Sequence, residues 1–77
     1  MALVRSFEEI TPTKANVHGE VECTYSHFVG NDGQHYLQLN TYGSAQRQNR
    51  GKQSQTIQLD KDSARKLAAL LRRYFGE

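Results

Sequence analysis

A single cysteine, Cys23, leaves this chain without an internal disulfide, and no second thiol is present to help close a zinc site. One unpaired thiol fits a reducing compartment, so a cytoplasmic location is expected. No apolar run approaches the roughly 18 residues of a membrane span, and the opening MALVRSFEEI carries Glu8 and Glu9 where a signal peptide needs an apolar stretch. No membrane partner is expected. Tryptophan is absent and aliphatics are scarce, apolar residues making up 36% of 77 positions. A chain of this size is one domain, residues 1–77, with a thin core, which excludes a multidomain enzyme. Core burial in chains of this size leaves only about 3–5 kcal/mol. With neither disulfide nor clustered metal ligands to add to it, self-association is the remaining source of stability.

Acidic residues are missing from one continuous third of the sequence. They stand at Glu8, Glu9, Glu20, Glu22, Asp32, Asp60, Asp62 and Glu77, and none falls between Gly33 and Leu59, where Arg47, Arg50 and Lys52 do. The net charge of +2 is too mild to nominate a partner. The purely cationic stretch is the more informative feature.

Period-two alternation predicts a long strand over Val17–Val29, with Val17, Val21, Cys23, Tyr25 and Val29 on one side and His18, Glu20, Glu22, Thr24 and Ser26 on the other. Gly30-Asn31-Asp32-Gly33 consists of residues that tolerate positive φ, and predicts a hairpin loop. His35–Tyr42 alternates again, setting Leu37, Leu39 and Thr41 against Tyr36, Gln38, Asn40 and Tyr42. Gly43–Gln53 has no apolar period and reads as a loop with three cations. Ser54–Leu59 resumes period two. Asp60 is placed as an N-cap, and Ala64, Leu67, Leu70, Leu71, Tyr74 and Phe75 recur at helical spacing over about Lys61–Phe75, with Arg72 and Arg73 in the last turn and Gly76 beyond it. Leu3–Ile10, before the Thr11-Pro12 break, fits a first strand better than a helical turn. The fold class is α+β: three or four antiparallel strands followed by one helix that covers one sheet face. The helical stripe is wider than one sheet face requires, which predicts a homodimer with Leu67, Leu70, Leu71, Tyr74 and Phe75 in its seam.

Catalysis finds little support. Cys23 and His27 share a strand face but lie about 13 Å apart along it, beyond nucleophile-to-base reach, and a buried structural thiol is the expectation for Cys23. His18, His27 and His35 lack metal-ligand spacing with one another or with Cys23. Glu8/Glu9 and Glu20/Glu22 read as solvated charges. No enzyme activity, cofactor or metal is expected.

Nucleic-acid binding fits the residues better, because single strands are held by cations along the backbone and aromatic rings under unpaired bases. Tyr36 and Tyr42 project from one sheet face beside Gln38, Asn40, Thr56 and Gln58, and Arg47, Arg50, Lys52 and Gln53 lie in the adjoining loop. A plain solvated surface explains the same composition equally well.

LQLNTYGSAQRQNRGKQSQTIQLDKDSARKLAALL resembles the core of the positive cofactor four family of transcriptional coactivators and its short bacterial relatives. There, a strand ending in an aromatic leads to a basic, glycine-containing loop, a second strand and an acidic helix start. Leu37–Tyr42, Arg47–Gln53, Thr56-Ile57-Gln58-Leu59 and Asp60–Leu71 are similar to these pieces in that order, over about half the chain. The resemblance implies a curved four-stranded antiparallel sheet, a C-terminal helix and a homodimer holding single-stranded DNA across its sheets, with RNA as a further candidate. Tyr42 takes the place of the stacking aromatic, and Arg47, Arg50 and Lys52 that of the basic loop. Gln55-Thr56 stands where the family usually has Lys-Gly, which removes one expected phosphate contact. Transcription or replication proteins are candidate partners, with nucleoid association to match. The competing expectation is a protein-interaction adaptor, serving transcription or phage and plasmid defence, that binds no nucleic acid.

Overall fold

The computed structural model describes residues 1–43 and 53–76. The elements follow in the order β1 (Ala2–Val4), β2 (Cys23–Val29), β3 (His35–Tyr42), β4 (Gln53–Leu59) and α1 (Lys61–Phe75). They form one four-stranded sheet in the order β1-β4-β3-β2, followed by the C-terminal helix. The α+β class is therefore as expected, but the sheet is mixed. β2–β3 and β3–β4 pair antiparallel, whereas β1 runs parallel to β4, with Ala2 opposite Ile57 and Val4 opposite Leu59. A parallel neighbour requires a long return of the chain. Residues 5–22 supply it, carrying the backbone from one sheet edge to the other.

This return also corrects two strand boundaries. The expected first strand over Leu3–Ile10 ends at Val4, because Arg5 turns to the helix start, 3.4 Å from the Asp60 carboxylate, and Phe7–Ile10 lie along the helix. The strand expected from Val17 begins only at Cys23. Val17 is fully exposed and Val21 half-exposed, so the alternation there runs on through a segment without assigned strand structure. Cys23 is exposed as well, not the buried thiol that its apolar phase suggested, because β2 is an edge strand.

The hairpin and helix follow their local signals closely. Gly33 adopts φ 77° and donates its N–H to the Gly30 carbonyl at 3.0 Å, closing the turn. Asp60 caps the helix by accepting the Ser63 N–H at 2.9 Å, and the Ser63 hydroxyl accepts the Asp60 N–H at 3.0 Å, a reciprocal capping box. At the other end Gly76, at φ 74°, donates to the Arg72 carbonyl at 2.9 Å.

The cross-strand register sorts the side chains onto two faces. Leu37, Leu39, Ile57 and Leu59 occupy one, where α1 packs: Ala64 lines a hollow with Leu37 and Leu59. Gln38, Asn40, Thr56 and Gln58 occupy the other. Among the described residues Leu59 is the only hydrophobic side chain that is fully buried. Leu67 and Leu70 are half-buried, while Leu71, Tyr74 and Phe75 are exposed, at 48%, 57% and 82%. Part of the wide helical stripe is met within the chain, since Leu70 and Tyr74 line a groove with Phe7 and Ile10, and the Tyr74 hydroxyl donates to Glu9 at 3.3 Å.

Candidate nucleic-acid interface

The face opposite the helix carries a continuous array of amides and hydroxyls, assembled by the β2–β3–β4 register. Asn40 is its hub. Its Oδ1 accepts from Gln38 Nε2 at 3.0 Å and from the Thr56 hydroxyl at 3.1 Å, and its Nδ2 donates to Thr24 Oγ1 at 3.3 Å. Gln58 Nε2 donates to Gln38 Oε1 at 2.9 Å, Gln53 Nε2 donates to Thr56 Oγ1, and the Tyr42 hydroxyl meets Thr24 Oγ1 at 2.9 Å. Asn40 and Thr56 are buried, at 9% and 5% exposure, with their hydrogen bonds made inside the array. Such networks cost little when every member is satisfied, and they hold their side chains in one arrangement.

Strict alternation would put Gln53 on the helix-bearing side with Gln55 and Ile57. A register irregularity between Thr41 and Tyr42 sets Thr41 against Gln55 but Tyr42 against Gln53, leaving Ser54 as an extra residue. Ser54 instead bonds the Thr41 hydroxyl at 3.1 Å, and Gln53 joins the amide array. Beside the array lies an open hollow of about 280 Å³ lined by Met1, Ala2, Leu3, Gln38, Gln53, Thr56 and Gln58, with no carboxylate in its wall. Its free surface therefore consists of neutral donors and acceptors beside a short apolar wall.

Of the expected contact residues, Gln38, Asn40, Tyr42 and Gln53 come together here. Asn40 acts within the array, and Tyr42 is half-buried at its border. Tyr36 belongs to the far end of β3, about 20 Å from Tyr42 at strand spacing. Its ring packs against Phe28 across the strand pair with centroids 5.5 Å apart, and its hydroxyl donates to the Asp32 carboxylate. That bond, together with the Gln34 N–H at 3.0 Å, holds Asp32 below the usual carboxylate range, and the neighbouring carboxylate pushes the Tyr36 phenol up. Arg47, Arg50 and Lys52 lie outside the described residues. In the sequence they fall between Gly43 and Gln53.

Thr24 and the wall formed by Met1–Leu3 are parts of the site that the linear pattern did not single out. Thr24 was legible through parity, standing opposite Asn40 once the hairpin register is known. The Met1–Leu3 wall depends on the parallel pairing of β1, which no local signal announces. Among the described residues no group of three or more potential metal ligands occurs. No protein-family model, no curated protein and no solved structure matches this chain.

Proposed function

We propose that this protein binds single-stranded nucleic acid, DNA in the first instance and RNA as a further candidate, as a homodimer and without sequence preference. The observation that carries this reading is the amide and hydroxyl array of Gln38, Asn40, Gln53, Thr56 and Gln58. It is bordered by the Tyr42 ring, free of carboxylates in its hollow, and continuous in the chain with a segment that holds three cations and no acid. Unpaired bases offer both hydrogen-bonding edges and flat faces; neutral amides at the rim serve the first and a tyrosine the second. Arg47, Arg50 and Lys52 neutralise the phosphates.

The resemblance to the positive cofactor four family supports the same assignment, although its wholly antiparallel sheet differs from the mixed one here. Self-association is supported by the helix. Leu71 and Phe75 expose apolar surface on α1, and Tyr25 and Ile57 do so on the helix-bearing sheet face, in a chain with little buried core of its own. The two roles then occupy opposite faces, nucleic acid on the amide side and a second copy on the helix side.

Fluorescence anisotropy with labelled oligo-dT and a duplex of equal length tests the reading. Preference for the single strand is expected, with a log–log salt slope of about −4 if a dimer neutralises six phosphates. No binding to either at low salt leaves the protein-interaction adaptor.

A further inference from the structure

The β2–β3 hairpin joins two side chains that stand eight positions apart in the chain. His27 lies opposite Leu37 and His35 opposite Val29, so the two imidazoles are diagonal neighbours on the helix-bearing face. His27 Nε2 and His35 Nδ1 are 2.7 Å apart, whereas the ring centroids are 5.0 Å apart and the planes differ by 17°. Nitrogens so much closer than the centres of nearly parallel rings mean that the rings meet edge to edge, each nitrogen turned toward the other. One of them carries the shared hydrogen. The other presents a bare lone pair.

We infer that His27 and His35 form a two-imidazole site for a late first-row divalent cation, Cu²⁺ ahead of Ni²⁺ and Zn²⁺. Two bonds of about 2.0 Å meeting at a right angle, as in the tetragonal geometry favoured by Cu²⁺ and Ni²⁺, span about 2.8 Å between nitrogens. The observed 2.7 Å separation is close to that span, and the wider tetrahedral angle of Zn²⁺ suits it less well. The two nitrogens point straight at each other, so each ring must turn by about 45° to aim its lone pair at a shared cation. Binding requires the hydrogen-bond donor ring to shift its hydrogen to its own second nitrogen through solvent, so both lone pairs face the cation and the pair's charge is unchanged. Both side chains are exposed, so the rings have room for these turns while the ladder holds their backbones.

The surroundings narrow the choice of ion. Lys61 and Arg65 line the same hollow as the pair, along with Asp60, and the cations oppose a further positive charge. Hard ions such as Mg²⁺ and Ca²⁺ bind through several oxygens, so they have no purchase here. Among the described residues no third histidine, cysteine or carboxylate completes a cluster with the pair, which leaves the remaining coordination positions to water.

Titration of the full chain with Cu²⁺, on a Cys23→Ser background that removes the thiol, tests this. Tyrosine fluorescence quenching reads affinity, and electron paramagnetic resonance reads nitrogen coupling. One site per chain with two coupled nitrogens is expected. His27→Asn and His35→Asn should each weaken binding at least tenfold, His18→Asn should not, and Mg²⁺ should give no response. Unchanged affinity in either paired-histidine variant, or dependence on His18, overturns the inference. Circular dichroism checks that each variant is folded. If one is not, histidine-ring nuclear magnetic resonance of the unaltered pair decides: selective broadening of His27 and His35 by substoichiometric Cu²⁺ supports the site, and equal broadening of all three histidines overturns it.

Discussion

The Tyr42 hydroxyl meets Thr24 Oγ1 at 2.9 Å, tying the end of β3 to the edge strand β2 and setting the tilt of the ring beside the amide array. Tyr42→Phe keeps the ring and removes this bond. Stability in urea denaturation should fall by about 0.5–1.5 kcal/mol, the usual net worth of a hydrogen bond, with little change in oligo-dT affinity. Tyr42→Ala should instead cost binding about 1–3 kcal/mol per stacked base. Equal loss of affinity in the two variants would remove the stacking role.

Asn40 should be the costliest amide to truncate. Asn40→Ala leaves the buried Thr56 hydroxyl without its acceptor, and Gln38 Nε2 and Thr24 Oγ1 each one partner short at half-buried positions. A loss of about 1–3 kcal/mol follows from leaving a buried polar group unpaired. Gln58→Ala breaks one bond at a half-buried position and should cost less. A denaturation series in which Gln58→Ala is the worse variant would contradict the hub assignment.

The hairpin should respond to pH at both extremes. Asp32 is held below its ordinary range chiefly by the Tyr36 hydroxyl and next by the Gln34 N–H; Asp60 is held low by the backbone N–H of Ser63 and then by the Ser63 side chain. A depressed carboxylate contributes stability that is present above its unfolded value, near pH 4, and lost as pH falls through the lower folded value. Tyr36 is raised, chiefly by its bond to Asp32. Its contribution is present below about pH 10 and lost as pH rises through the higher folded value. Asp32→Asn should flatten part of the acid limb and return the Tyr36 titration toward that of a free tyrosine. Ultraviolet titration of an unchanged Tyr36 would show that the bond is not the cause.

Gly30 gives an independent handle on the same contact. A Cβ there would sit 2.8 Å from Asp32 Oδ1 and 2.9 Å from Tyr36 Cε2, closer than real contacts allow. Gly30→Ala should therefore push the ring and carboxylate apart; both are the ends of movable side chains, so stability should change little while Asp32 moves back up toward ordinary carboxylates. An unshifted Asp32 would show that the turn relaxes without disturbing the pair.

Helix substitutions should separate self-association from folding. Phe75→Lys and Leu71→Lys alter exposed positions, so each chain should keep its helix by circular dichroism. Sedimentation equilibrium should show twice the chain mass for the unaltered protein and the single-chain mass for the variants, with concentration dependence of the melting temperature lost alongside. A wild-type chain that sediments as a monomer across the micromolar range ends the dimer proposal.

By itself, the amino-acid order determined those features that depend on near neighbours. Asp60 and Ser63 cap a helix three residues apart, Gly30 to Gly33 reverse the chain within one turn, and the parity of His35–Tyr42 sorts amides from leucines whatever strand lies alongside. Tertiary structure alone decided what depends on which distant backbone is adjacent. The parallel seat of β1 beside β4, the extra residue at Ser54 that swings Gln53 into the amide array, and the meeting of His27 with His35 are all products of register. The alternation from Val17 shows the physical reason. A period of two records that a segment suits a pleated surface, but the ladder forms only where another strand supplies donors and acceptors opposite. In this chain, the assigned strand begins only at Cys23.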